Sequence, residues 1–193
     1  IGAGGHANSV LEIIEENKKY QILGFLDNKK KNIFCGYKIL GKDNLLKKYS
    51  KNCSAFISIG QIKNYKIRTN IFNKLILLNY DLPSFTAKSS FLSKNSSIGS
   101  GTILMRNVIV NANSSIADNC IINNNALIEH DVIISSNCHI STGVIINGNV
   151  KINKNSFIGS GSIIKEGVKI GKSCIIGAGK VIKKDIISGS KVY

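Results

Sequence analysis

The 193-residue chain holds three histidines, His6, His130 and His139, and the last two lie nine residues apart. His130 stands in "IEHD", directly before Asp131. An imidazole with an ordinary pKa near ~6.5 accepts a proton at neutral pH, so His130 has the chemistry of a general base. A competing use is a zinc site of the three-histidine hydratase kind, but only two histidines fall in this half, at a spacing that does not suit one. The five cysteines, Cys35, Cys53, Cys120, Cys138 and Cys174, show no C-x-x-C pair, so they point to buried free thiols and not to a metal or redox centre.

What positions His130 is a count of six. From Leu92 to Ile182 every sixth residue is aliphatic, through Ile98, Leu104, Val110, Ile116, Ile122, Ile128 and onward. Three residues after each stands Asn, Gly, Asp or Ser, types that tolerate a left-handed backbone: Asn95, Gly101, Asn107, Asn113 and so on to Asp185. The next position is small or β-branched until Lys180, as suits a side chain packed inward beside a large aliphatic. A helix would need spacings averaging 3.6, and a meander would not keep its turns in register. The pattern predicts a parallel β-helix from about residue 86 onward, of roughly five coils at three hexads per coil. Asp131 occupies a turn position, so its presence is explained by the fold as well as by chemistry. Neither His130 nor His139 holds an inward position, so both are expected to face solvent or a neighbouring subunit.

The first part, residues 1–85, reads differently. "IGAGGHA" fits G-x-G-x-x-A through Gly2, Gly4 and Ala7, and Val10, Leu11, Ile13 and Ile14 form a helical stripe after it. "QILGFLD" and "SAFISIG" read as strands and "NYKIRTNIFNKLILL" as a helix, giving a small α/β unit. Gly4, Gly5, His6, Asp27, Asn28 and Gly60 fall at the carboxyl ends of its strands, where such sheets bind ligands. Some 85 residues leave no room for a second mononucleotide half, which favours a nucleotide or nucleotide sugar over a dinucleotide.

The net charge of +15 is spread evenly, with 14 basic and 6 acidic residues up to position 85 and 12 and 5 beyond it. That distribution argues against a nucleic-acid-binding patch. No apolar run approaches the ~18 residues of a membrane span and no signal-peptide pattern opens the chain, so a cytoplasmic location is expected.

The segments "GAGGHA", "GFLDN", "AFISIG", "ALIEHDVIISSNCHISTGVIINGNVKINKNSFIGSGS" and "CIIGAGKVIKKD" together resemble the sugar O- or N-acetyltransferases of the sialic acid O-acetyltransferase (NeuD) family. The similarity is closest to its PglD-like members, which acetylate a UDP-linked 4-amino-4,6-dideoxy sugar. The resemblance implies an α/β N-terminal Rossmann-like domain (1–85) that binds the nucleotide sugar. It implies a left-handed parallel β-helix (86–193) that binds acetyl-CoA, and a homotrimer without a metal. The family continues with a Gly-x-Pro-Ala-Lys segment where this sequence reads "ISGSKVY". Together with the opening at Ile1 without a Met, this leads us to expect a trimmed chain.

Carried over by motif, His130 matches the family's general base and Asp131 the carboxylate that fixes its tautomer and stabilises the imidazolium. His139, Ser160 and Ala178 match positions contacting acetyl-CoA, and Gly4, Gly5, His6, Asp27, Asn28 and Gly60 match the nucleotide-sugar pocket. None of these is a convincing covalent nucleophile, so the resemblance implies direct transfer in a ternary complex. Two alternatives stay open at this level: O-acetylation of a sialic acid, which uses the same histidine, and a non-enzymatic solenoid serving as a binding module.

Overall fold

Along the repeat, up to its last coil, eighteen residues separate each strand from the one it pairs with, so three hexads make one coil. Ile122 lies opposite Ile140 and Ile128 opposite Ile146, and all the pairings of the repeat are parallel. The computed structural model describes residues 1–29, 32–62 and 64–193. It forms two compact units, residues 1–60 with 66–83, and residues 61–65 with 84–193.

The second unit is a left-handed parallel β-helix. Its two-residue strands line up in three sheets. One runs in seven strands from Phe85–Thr86 to Lys191–Val192, another in six from Phe91–Leu92 to Val181–Ile182, and the third in five from Ser97–Ile98 to Lys169–Ile170. They make five coils of three strands, a sixth whose third side is only a bridge at Ile186, and a last strand that begins a seventh, so the solenoid is about one coil longer than the sequence count suggested. The difference lies at the two ends. Thr86 occupies the first strand where no aliphatic marks it, and the last coil is two residues short. There Ile186 bridges to Ile170 and Val192 pairs with Ile176, each sixteen residues on.

The turn residues take the conformation their types allow. Every third-after-aliphatic residue from Gly101 to Gly179 has a positive φ, as in Asn113 at 61° and Asp131 at 59°. Asn95 and Asp185, read as turns of the same kind, do not. The turn asparagines bond one another along the axis, Asn107 Nδ2 to Asn125 Oδ1 at 3.2 Å and Asn119 Nδ2 to Asn137 Oδ1 at 2.7 Å. Inside, the small positions include hydroxyls that serve two coils at once. Ser114 Oγ donates to Glu129 O at 2.6 Å and accepts from Val132 N at 3.0 Å, so no buried group of that exchange is left unpaired. Cys120, Cys138 and Cys174 are buried free thiols in this position, whereas Cys35 is exposed. Burial pushes the Cys138 thiol well up from its ordinary value.

The central aliphatic column runs from Leu104 to Ile182 with its side chains excluded from water. Ile146→Ala would remove three carbons from a place the neighbouring coils cannot collapse into. A loss of about 2–5 kcal/mol in unfolding free energy is expected, read as a lower denaturant midpoint at unchanged slope.

In the first unit, α1 (Gly5–Asn17) buries Ala7, Val10, Leu11 and Ile13 and ends at Lys18 in the left-handed region. Three short strands follow, β1 (Phe25–Leu26), β2 (Ile33–Phe34) and β3 (Tyr37–Gly41), in the order β1-β3-β2. The β2–β3 hairpin turns on Cys35 and Gly36, both at positive φ, the backbone such a two-residue turn requires. After a 3-10 turn at Asp43–Leu45 come α2 (Leu46–Tyr49) and α3 (Lys66–Leu77). The strand expected over 54–60 makes no ladder. Ser58 N donates to Ile1 O and Ala55 N to Asp81 O, while the buried guanidinium of Arg68 takes the carbonyls of Ile57 and Ile59 at 2.6 and 2.9 Å. Only Phe25–Leu26 of "QILGFLD" forms a strand, in a register that shifts between those two residues.

Candidate active site

His130 and Asp131 sit at the corner between the six-stranded and five-stranded sheets, just after the strand Leu127–Ile128. The backbone there is tied on both sides, Asp131 N to Ala112 O at 3.0 Å in one coil and Asn149 N to His130 O at 3.0 Å in the next. The Ser114 hydroxyl brackets the same corner from inside through Glu129 and Val132. On this fixed turn His130 Nδ1 lies 2.8 Å from Asp131 Oδ2, and Asn113 Nδ2 donates to Asp131 Oδ1 at 3.3 Å. The hydrogen bond from His130, then that from Asn113, holds the Asp131 carboxyl below its ordinary value, so it is ionised at neutral pH. An ionised carboxylate only accepts, which assigns the proton to Nδ1 and leaves the Nε2 lone pair open. Both side chains remain largely exposed, at 62% and 52%. The corner therefore presents an oriented base to whatever approaches it.

His139 departs from expectation. It is buried, at 5% exposure, instead of facing solvent. Its Nδ1 donates to the carbonyl of Gln61, and Asn123 Nδ2 lies 3.5 Å from Nε2. The ring meets Phe157 edge-on at 5.2 Å. Gln61 in turn donates from Nε2 to Asn137 O at 2.8 Å, so a segment outside the repeat is pinned over this strand. Nothing periodic in the sequence could have announced Gln61.

Ser160 and Ala178 lie along one corner, between the seven-stranded and six-stranded sheets, and His139 on a strand that leads into it. Ser160 Oγ lies 2.8 Å from Ser141 Oγ, and Gly179 N donates to Ser160 O. A Cβ on Gly159 would stand 2.6 Å from Ala178 N, so the coils here stack with bare backbone between them. The structure thus places Ser160 and Ala178 at one corner, His139 on the seven-stranded sheet that leads into it, and His130 with Asp131 at the next corner. Between these corners lies the outer face of the six-stranded sheet, where Phe91, Ile109 and Val181 are exposed. His130 at its corner and His139 on the seven-stranded sheet stand apart, and no group of three or more metal-ligating side chains exists among the described residues.

In the first unit the predicted residues gather around the start of α1. Gly4 is its N-cap and offers no side-chain cap, and the first turn carries no acidic residue to oppose an anion at the positive end of the helix. His6 lies beside Gly60, whose added Cβ would come 3.5 Å from His6 Cβ. Asp27 accepts from Ala3 N and Lys29 N, both at 2.7 Å, and so braces the glycine turn. Asn28 pairs with Asp43 through Nδ2 at 2.8 Å.

Residues 1–75 match the family described as the PglD N-terminal domain, and residues 149–184 match the bacterial transferase hexapeptide of six repeats. A search of curated proteins gave no match. Among solved structures, the acetyltransferase domain of PglB from Neisseria gonorrhoeae FA1090, in complex with acetyl coenzyme A, is 30% identical. That alignment covers 98% of this chain and 92% of the other, with a TM-score of 0.93. A histidine-to-asparagine mutant of perosamine N-acetyltransferase from Caulobacter crescentus, in complex with CoA and GDP-perosamine, is 26% identical over 98% and 90%, with a TM-score of 0.92. WeeI from Acinetobacter baumannii AYE, at 22% identity and a TM-score of 0.86, shares the fold. With an N-terminal domain of the PglD type, a hexapeptide solenoid and 30% identity over nearly its full length to one such enzyme, the chain belongs to the PglD-like, NeuD family of hexapeptide-repeat sugar acetyltransferases.

Proposed function

We propose that this enzyme transfers the acetyl group of acetyl-CoA directly to the 4-amino group of a nucleotide-linked amino-dideoxy sugar, with His130 as general base. One observation carries the reading: Nδ1 of His130 is engaged by an ionised Asp131 while Nε2 is left open at an exposed corner. Acetyl-CoA, when bound, supplies the acetyl group as an activated thioester. Nε2 takes the proton that the acceptor amine loses as its nitrogen bonds to the acetyl carbon. The resulting imidazolium is stabilised by Asp131 and returns the proton to the departing sulfur. The small residues of the Ser141, Gly159, Ser160 and Ala178 corner suit an extended thioester arm lying against backbone. The start of α1, without an acidic residue or a capping side chain, suits a phosphate of the nucleotide sugar. Support comes from relatives that bind acetyl coenzyme A in one case and CoA with GDP-perosamine in the other.

The reading includes a homotrimer located in the cytoplasm. His130 and the candidate cofactor corner flank an apolar face in one chain, so a second copy covering that face would bring its own corner to the histidine. Light scattering is expected to report three chains, and Ile109→Lys, on the exposed face, is expected to shift the protein toward monomer. Incubation with acetyl-CoA and a panel of nucleotide amino sugars and sialic acids, with mass detection, tests the reaction. One acetyl group added to an amino sugar supports it. Addition only to a sialic acid hydroxyl would replace it with O-acetylation, and no product on any acceptor would favour a binding module.

A further inference from the structure

The residue two after each aliphatic carries a side chain in fifteen of the sixteen hexads, as at Ser100, Ala112, Thr142, Lys154, Glu166 and Ala178. The exception is Gly148, and it stands one coil beyond His130. Its backbone lies outside the left-handed region, so the turn does not require a glycine. What requires one is the imidazole. A Cβ built on Gly148 would lie 2.7 Å from His130 Cε1, 2.8 Å from Nε2 and 3.3 Å from Nδ1, closer than carbon packs against a ring. The three heavy atoms nearest to that position all belong to His130.

We propose that Gly148 is a positioning residue, a bare shelf on which the His130 ring rests so that Nδ1 meets Asp131 while Nε2 stays clear. Three sides of the imidazole are then defined, by the turn beneath it, by Asp131 held from Asn113, and by the absent side chain at position 148. Alanine at 148 forces the ring to swing, and a swing large enough to clear a methyl breaks the 2.8 Å bond to Asp131. The steric claim rests on the structure alone, and its consequence for rate rests on His130 being the base.

The experiment compares Gly148→Ala, His130→Ala and the double variant. Nitrogen-15 NMR of the three histidines reads the tautomer of His130 without reference to activity. Wild type is expected to show the proton on Nδ1 and Gly148→Ala a mixture. The turnover of Gly148→Ala should fall by about 10²-fold, with the Michaelis constant for acetyl-CoA unchanged, the scale of a catalytic group displaced by about 1 Å. In the His130→Ala background the same substitution should cost nothing further. Should Gly148→Ala fold poorly, recovery of folding in the double variant would establish the same conflict between ring and methyl. A wild-type tautomer signal in Gly148→Ala, an equal loss of rate in both backgrounds, or poor folding in both would overturn the proposal. Full turnover by His130→Ala would instead sink the assignment of the base, and the NMR signal would still decide on Gly148.

Discussion

His130→Ala is expected to lower acetyl transfer by about 10²- to 10⁴-fold, the contribution of a lost general base, with acetyl-CoA binding and the fold nearly intact. The separation of effects follows from where the residue sits. Its side chain is largely exposed at a corner whose backbone is fixed by bonds from Asp131, Asn149 and the Ser114 hydroxyl, none of which uses the imidazole. Removing the ring therefore leaves the solenoid its hydrogen bonds and its aliphatic column. The candidate cofactor residues His139, Ser160 and Ala178 are other side chains than the imidazole removed, so a fall in turnover need not bring a change in acetyl-CoA affinity. Titration calorimetry with CoA beside steady-state kinetics checks both halves. A variant that turns over at the wild-type rate would remove His130 from the mechanism. One that loses CoA binding as well would show that the ring serves the cofactor and not the proton.

The period of six carried nearly all of the solenoid, because each coil repeats the same three demands, a large aliphatic, a left-handed turn and a small inward side chain. It failed where those demands lapse. Thr86 opens the ladder without an aliphatic, and the two-residue deletion before Ile186 breaks the count while the column continues. His130 and Asp131 were legible because they depart from a monotonous pattern at an outward position. The burial of His139 was not, since the cover over it comes from Gln61, far away in sequence and outside any repeat. Asn113 and Ser114 carried a signal that only the coil length decodes. They stand eighteen residues before Asp131 and Val132, which is one full turn of the solenoid. The first unit was less legible still. Its segment 54–60 has the composition of a strand, but a buried arginine takes the carbonyls that a neighbouring strand would otherwise have used.

Asp131→Asn separates the two reasons for an acidic residue at this corner. Asparagine fills the same turn position in Asn113 and Asn149 at φ of 61° and 59°, so the left-handed backbone survives the change and the coil should remain intact. What disappears is the charge. An asparagine amide accepts or donates at its two ends, so it neither fixes the proton on Nδ1 nor stabilises the imidazolium that forms during transfer. A fall in turnover of about 10²-fold is expected, well below the ~10⁴-fold of a fully buried carboxylate and histidine, because solvent screens this exposed pair. Stability gives an independent reading with a defined sign. The Asp131 carboxyl is held below its ordinary value of 3.8 in the folded protein, so its contribution is fully present above that value and is lost as pH falls through the lower folded one. The melting temperature of wild type should therefore exceed that of Asp131→Asn from neutral pH down to about pH 4, and the gap should close in stronger acid. If the variant turns over like wild type while the stability gap appears as described, the carboxylate serves the corner alone, and His130 acts without its help.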